Sequence, residues 1–138
     1  MLHLKYGMNF FIFLFIISCS EKKDWVIPKT DKGNGGLFLP DGFGAVVIVD
    51  SLGPTRHLAV NDNGDIYVKL RVPTGDKGNI ALRDTDGDGK ADIIQRFGRY
   101  RNDGTFATEM RIHNGYLYFS SELVVYRQKL TPYKLIPE

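Results

Sequence analysis

A single cysteine, Cys19, stands in a chain of 138 residues. That scarcity excludes an internal disulfide framework and any multi-cysteine metal site. An excess of one charge is missing as well: 18 Lys and Arg against 16 Asp and Glu leave a formal net charge of +2. Nothing in that balance argues for nucleic acid or an acidic partner. The apolar run Phe10–Ile17 is too short to span a bilayer comfortably. Strong helix-forming runs are few. The chain carries no Ser/His/Asp constellation, no phosphate-cradling glycine loop between a strand and a helix, and no basic patch with interleaved aromatics. What it does hold is 15 Gly and 7 Tyr, the composition of a turn-rich, all-β protein.

The place of the one cysteine is informative. His3 and Lys5 make a short polar start, Phe10–Ile17 is apolar, and the run ends at Ser18-Cys19. This is the layout of a targeting segment over 1–18, with Met8 as an alternative start. Ile16-Ile17-Ser18-Cys19 resembles the cleavage box of bacterial lipoproteins. The resemblance implies lipidation of Cys19, which becomes the new N-terminus and makes the membrane a partner. An ordinary secretory signal or a membrane anchor with an incidental Cys is the other reading. Ser20–Asp24 reads as a solvated tether within a tether and lead-in over 19–36. Ser, and not Asp, at position 20 resembles Gram-negative lipoproteins destined for the outer membrane, lipid-anchored and facing the periplasm.

Beyond the lead-in the chain reads as strands and turns. Pro40-Asp41-Gly42 is a turn signal. Ala45–Val49 is a β-branched run that predicts a strand. His57–Val60 and Asp65–Leu70 alternate around Asn61–Gly64, which predicts a hairpin. A loop with Pro73, Gly75 and Gly78 is expected before a strand at Asn79–Arg83, and another strand is expected over Asp92–Phe97.

Between those last two strands lies the densest chemistry in the sequence, Asp84-Thr85-Asp86-Gly87-Asp88-Gly89-Lys90-Ala91-Asp92. Alternating carboxylates on a curling backbone can all point at one hard cation, and this is the opening of a D-x-D-x-D-G calcium loop. Asp84, Asp86 and Asp88 supply carboxylates, Gly89 allows the sharp turn, Lys90 supplies its backbone carbonyl, and Asp92 stands where a ligand often acts through water. The bidentate Glu of an EF-hand is missing, because Gln95 occupies its place. The flanks are strand-like too, so a calcium-capped connection between strands is expected. A metal-free hairpin rich in ordinary turn residues is the alternative.

The pattern then repeats. Leu58-Ala59-Val60, Gly64 and Ile66-Tyr67-Val68 match Met110-Arg111-Ile112, Gly115 and Leu117-Tyr118-Phe119, and Ile80–Arg83 matches Val124–Arg127. Thr131–Glu138 looks like the start of a further strand. A β-rich repeat of about 50 residues is the mark of a propeller blade. Two blades are expected, over about 43–97 and 105–138 within a partial propeller over 37–138. Two blades cannot close a ring of roughly 4–8, so the chain is expected to be an N-terminal part of a longer protein or to pair with other chains.

Leu39–Phe43, Arg56–Val60, Asn63–Val68, Leu82–Asp92 and Gly115–Tyr118 together resemble the opening blades of the glucose/sorbosone dehydrogenase family. The likeness covers about 37–130. It implies a secreted six-bladed β-propeller that uses pyrroloquinoline quinone (PQQ) to oxidise an aldose or related alcohol, with the remaining blades as partners and a sugar as substrate. In that family the catalytic and quinone-binding residues come from later blades, so the resemblance assigns none here. The 84–92 calcium is implied to be structural and separate from the ion at the quinone. The alternative is a non-catalytic, calcium-binding propeller lipoprotein that binds a partner or glycan. His57 is expected to be a satisfied structural histidine and His113 a solvated one. Arg56 could face a channel or solvent. Trp25, Tyr67, Tyr116, Tyr118 and Tyr126 are expected to pack between blades.

Overall fold

The computed structural model describes residues 27–99 and 109–138, and these form two antiparallel β-sheets. Cys19 and Trp25 lie outside the described residues. The first sheet is a four-stranded meander in the order β1 (Thr55–Val60), β2 (Ile66–Thr74), β3 (Lys77–Arg83), β4 (Ile93–Arg99). The second has three strands, β5 (Met110–His113), β6 (Tyr116–Ser120) and β7 (Val125–Lys129). The alternation read from the sequence therefore becomes pleated strands. The tight turns fall where Gly64 and Gly115 reach φ of 90° and 74°, a region that favours glycine.

Register sorts the side chains of the first sheet into two faces, because successive residues of a strand point to opposite sides. Leu58, Val68 and Ile80 align across the strands, as do Val60, Ile66, Leu82 and Ile94. Ala59, Tyr67 and Ala81 align on the opposite face. The Val68 face is mainly apolar, whereas the Tyr67 face mixes apolar residues with the buried Asp65, Lys69 and Asn79. The Tyr67 face packs on the second sheet, in a core of Tyr67, Ala81, Phe97, Met110, Leu117, Phe119 and Leu135. There Tyr67 meets Phe97 edge-on and donates its hydroxyl to the Leu135 carbonyl at 3.1 Å. Burial pushes the Tyr67 phenol up to about 12, with the Asp65 charge acting the same way and Arg83 opposing. The other face holds Val68, Leu70, Ile80 and Leu82, covered in part by Val49, Leu52 and Ala91.

The repeat is real, with one correction. The pair Val60–Ile66 corresponds to Ile112–Leu117, and Leu58–Val68 to Met110–Phe119. Ile80 pairs with Val68, while Phe119 pairs with Tyr126, so Ile80 corresponds to Tyr126 and not to Val124. A two-residue slip keeps every side chain on its face, which is why the hydrophobic pattern could not expose it. The two sheets meet through opposite faces: the Tyr67 face of one lies on the Met110–Leu117 face of the other.

Three expectations about extended segments are corrected. Ala45–Val49 forms no strand. It runs as a strap beside the first sheet, with the Asp31 N–H donating to the Ala45 carbonyl and the Ala91 N–H to the Ile48 carbonyl, both at 2.9 Å. Its β-branched residues serve packing, not a ladder. The expected loop at Pro73–Gly78 is a tighter hairpin, since β2 runs to Thr74 and β3 starts at Lys77. Pro73 is tolerated because the ladder is interrupted between Lys69 and Thr74. Thr131–Glu138 forms no strand either: Pro132 and Pro137 lack the donors a ladder needs, and only Lys129 and Glu138 exchange backbone bonds. Of the tyrosines, Tyr67 is buried and Tyr126 stacks on Phe119 at 5.2 Å between centroids. Tyr116 and Tyr118 are half-buried, and Arg127 lies 4.7 Å over the Tyr116 ring.

Leu117 is fully buried, whereas Leu58 is 63% exposed on the half-covered face. Leu117→Ala should therefore destabilise the fold by about 2–5 kcal/mol, and Leu58→Ala should change it by under about 1 kcal/mol. Urea unfolding of both variants checks this, and equal losses would contradict the assignment of the core.

Candidate metal centre

The β3–β4 connection carries the aspartates. Gly87 and Gly89 sit at φ of 82° and 87°, which lets the backbone curl tightly enough to turn its side chains inward. Asp84 organises the curl. Its Oδ1 accepts the N–H of Gly87 at 2.7 Å and of Asp86 at 3.2 Å, and its Oδ2 accepts the N–H of Gly89 at 2.8 Å. Asp86 Oδ1 accepts from the Asp88 N–H at 3.2 Å, and Asp88 Oδ1 from the Lys90 N–H at 2.7 Å. One carboxylate oxygen each from Asp84, Asp86 and Asp88 lie within 4.8 Å of one another.

Asp92 is placed differently. Its Oδ2 accepts from the Thr85 hydroxyl at 2.6 Å and the Thr85 N–H at 2.7 Å, which closes the base of the loop. The three-carboxylate group does not include it. The Lys90 ammonium turns away to Asp31 at 3.4 Å, leaving the three clustered carboxylates without that cation. The Asp84 carboxyl is held below its ordinary range, chiefly by the Gly89 N–H and further by Gly87 and Asp86, while burial and the Asp92 charge oppose. Asp92 is held low by the Thr85 hydroxyl first and the Thr85 N–H second.

The loop is pressed against the strap. A Cβ on Gly89 would stand 2.8 Å from Pro28 Cβ and 3.2 Å from Val46 Cγ1, so a side chain there is barred by space as well as by φ. With the Ala91–Ile48 bond and the Lys90–Asp31 pair, the loop holds residues 28–48 to the end of the first sheet. The Val47 N–H, 2.7 Å from Asp31 Oδ2, is the main reason the Asp31 carboxyl also lies low.

A second polar constellation escaped the sequence reading. Asp65 is almost fully buried and takes the Arg83 guanidinium with both oxygens, Nε to Oδ1 at 2.6 Å and Nη2 to Oδ2 at 2.7 Å. A buried carboxylate is tolerated when both oxygens are bonded to a paired cation. The signal was present in the hairpin register, because pairing Ile66 with Leu82 sets Asp65 opposite Arg83. The weaker candidates stay apart. Arg56 and His57 line one groove beside β1, whereas His113 lines another at the opposite turns, and His57 is half-buried while His113 is exposed. Cys19, the expected lipidation site, lies outside the described residues. No protein-family model, curated protein or solved structure matches this chain.

The depressed carboxyls set a pH dependence. Asp84 and Asp92 lie below their ordinary value of 3.8 when folded. Their contribution to loop stability is complete above that unfolded value and is lost as pH falls through the lower, folded values. In an acid titration followed by NMR, the Gly87 and Gly89 amides should move with a midpoint below pH 3.8. A midpoint at or above that value would contradict the hydrogen-bonded loop.

Proposed function

We propose that the 84–92 loop binds one calcium ion and that the ion is structural. Asp84, Asp86 and Asp88 supply carboxylate oxygens, Lys90 its carbonyl, and Asp92 acts directly or through water. The observation that carries this reading is the convergence of three carboxylate oxygens within 4.8 Å, while the neighbouring lysine is engaged with Asp31. Such a group favours a hard cation that takes several oxygens at once. Bound there, the ion would relieve repulsion among the aspartates and fasten the β3–β4 loop to the strap.

In the wider reading, this calcium-stapled unit is part of a lipid-anchored β-propeller of the glucose/sorbosone dehydrogenase type, fixed to the outer membrane through Cys19. Support comes from the four-stranded meander, from its repetition in the second sheet, and from their packing through opposite faces, an arrangement that further sheets can continue. The described residues are not the catalytic part. PQQ carries three carboxylates, and the groove of about 560 Å³ beside β1 offers one guanidinium, Arg56, with Thr55 and His57 the other polar side chains among Val, Leu and Ile. That wall does not fit the quinone, and no step is assigned through it.

Two outcomes follow. Without the bidentate Glu, calcium affinity should fall near 10⁻⁴–10⁻³ M, roughly the range of weak extracellular sites. About 10 mM calcium should then stabilise the chain by about 1.4–2.7 kcal/mol, with the gain largely lost in Asp86→Ala and Asp88→Ala. Thermal melts with calcium and with chelator measure this, and equal gains in the variants would refute the site. Separately, the purified chain given PQQ and calcium should reduce no dye in the presence of aldoses. A base, a charge stabiliser and a cofactor seat must lie within reach of one another, and His57 and His113 lie in separate grooves. Sugar-dependent turnover would overturn the non-catalytic assignment.

A further inference from the structure

The β6–β7 turn holds an aliphatic run in water. Leu123 and Val125 are 77% and 75% exposed, and Val124 between them is exposed too. Three consecutive exposed apolar residues mark a site of interaction. The turn is also firmly built. The buried Ser121 donates its N–H to the Val124 carbonyl at 2.8 Å, and its hydroxyl oxygen accepts the Val124 N–H at 3.1 Å. Backbone groups that are already paired can leave water without a large penalty. We propose that this turn inserts into the surface of an anionic phospholipid bilayer, with the outer face of the second sheet as its collar.

Register builds the collar. Arg111 pairs with Tyr118 and Tyr118 with Arg127, so the three stand in one row, on the face opposite the buried Leu117 and Phe119. The next row is His113, Tyr116 and Lys129. The sequence scatters these residues over three strands, and only pairing brings them together. Val125 lies on the same face, one step of two residues from Arg127, or about 7 Å along the strand. Interfacial apolar segments sink about 5–10 Å into the boundary between headgroups and acyl chains. A tip at that depth brings the arginine row level with the phosphates.

The chemistry of the collar fits an anionic surface. Arg111, Arg127 and Lys129 are exposed. Arg127 stacks over the Tyr116 ring at 4.7 Å, a pose in which a planar guanidinium still presents its edge donors to phosphate. Arg111 shares Glu109 at 2.8 Å in an exposed pair, which is weak enough to yield. Tyr116 and Tyr118 are half-buried, with ring centroids 6.4 Å apart, and tyrosine settles where one end is apolar and the other wet. Glu122 is the acidic residue of the turn and opposes the contact. A soluble phosphate or a nucleic acid would answer the cations and leave Leu123 in water, whereas a bilayer answers both. A further sheet has the mainly apolar Val68 face to pack on, while burying three cations here would be costly.

The test places an environment-sensitive dye at Val124→Cys in the whole chain carrying Cys19→Ser. A dye at Asp62→Cys, beside the β5–β6 turn at the other end of β6, is the control. Vesicles of phosphatidylcholine alone, or mixed equally with phosphatidylglycerol, are added with chelator so that calcium plays no part. The mixed vesicles should shift the Val124 dye to the blue and leave the Asp62 dye unchanged. Read at Val124, Leu123→Ser should weaken partition about tenfold. Arg127→Ala and Lys129→Ala should each weaken it about fivefold, and Glu122→Gln should strengthen it. All four residues are exposed, so the fold survives these changes. The proposal fails if the Val124 dye shifts no more than the Asp62 dye, or if it responds alike to both vesicles. Binding of glycerol phosphate, an oligonucleotide or a second copy of the chain through these residues, with no shift on vesicles, would also overturn it. The contact rests on neither Cys19 nor the calcium loop, so each reading can fall alone.

Discussion

A sheet that carries large apolar side chains on both faces must be covered on both, and the rest of the molecule answers that demand. The Tyr67 face receives the second sheet, where Leu117 and Phe119 are buried. The Val68 face has no such partner in the described residues. It receives the strap, through Val49 and Leu52, and keeps Leu58 and Val60 more than half exposed. Apolar burial at about 25 cal/mol per Å² drives both contacts, but only the first resembles the interior of a protein.

The strap has little of its own to hold it. It forms no strand, and its attachments are a few backbone bonds and an exposed Lys90–Asp31 pair of the kind worth about 0–1 kcal/mol. The β3–β4 loop is what it rests on, through Gly89 against Pro28 and Val46 and through Ala91 to Ile48. The shape of the aspartate loop is thus coupled to the cover of the sheet. An ion there would act on packing some residues away, with no part in chemistry. The Asp65–Arg83 pair plays the corresponding role at the second sheet, where Arg83 reaches the Tyr133 carbonyl and Tyr67 the Leu135 carbonyl.

Much of this was legible from residue pattern. Alternation around Gly64 and Gly115 located the hairpins, because period-two burial and a left-handed glycine are local requirements. The aspartate loop was legible for the same reason, since each hydrogen bond that its aspartate carboxylates accept spans at most seven residues. Non-local features were not. Ala45–Val49 has the composition of a strand, yet it finds no ladder. Asp65 read as the first residue of an alternating strand, with no partner in view, until register set it against Arg83. The slip that matched Ile80 with Val124 was invisible because it preserved every face. Thr131–Glu138 has strand-like residues, but its prolines and the burial of Leu135 decide otherwise.

The central claim is that the aspartate loop, loaded with calcium, clamps the strap onto the sheet. Hydrogen exchange at the Ala91 amide reads that clamp directly, because its N–H crosses from the loop to the Ile48 carbonyl. The account predicts that calcium slows exchange at Ala91 together with Gly87 and Gly89, and that Asp88→Ala abolishes the change. Slowing confined to Gly87 and Gly89, with Ala91 unaltered, would contradict it.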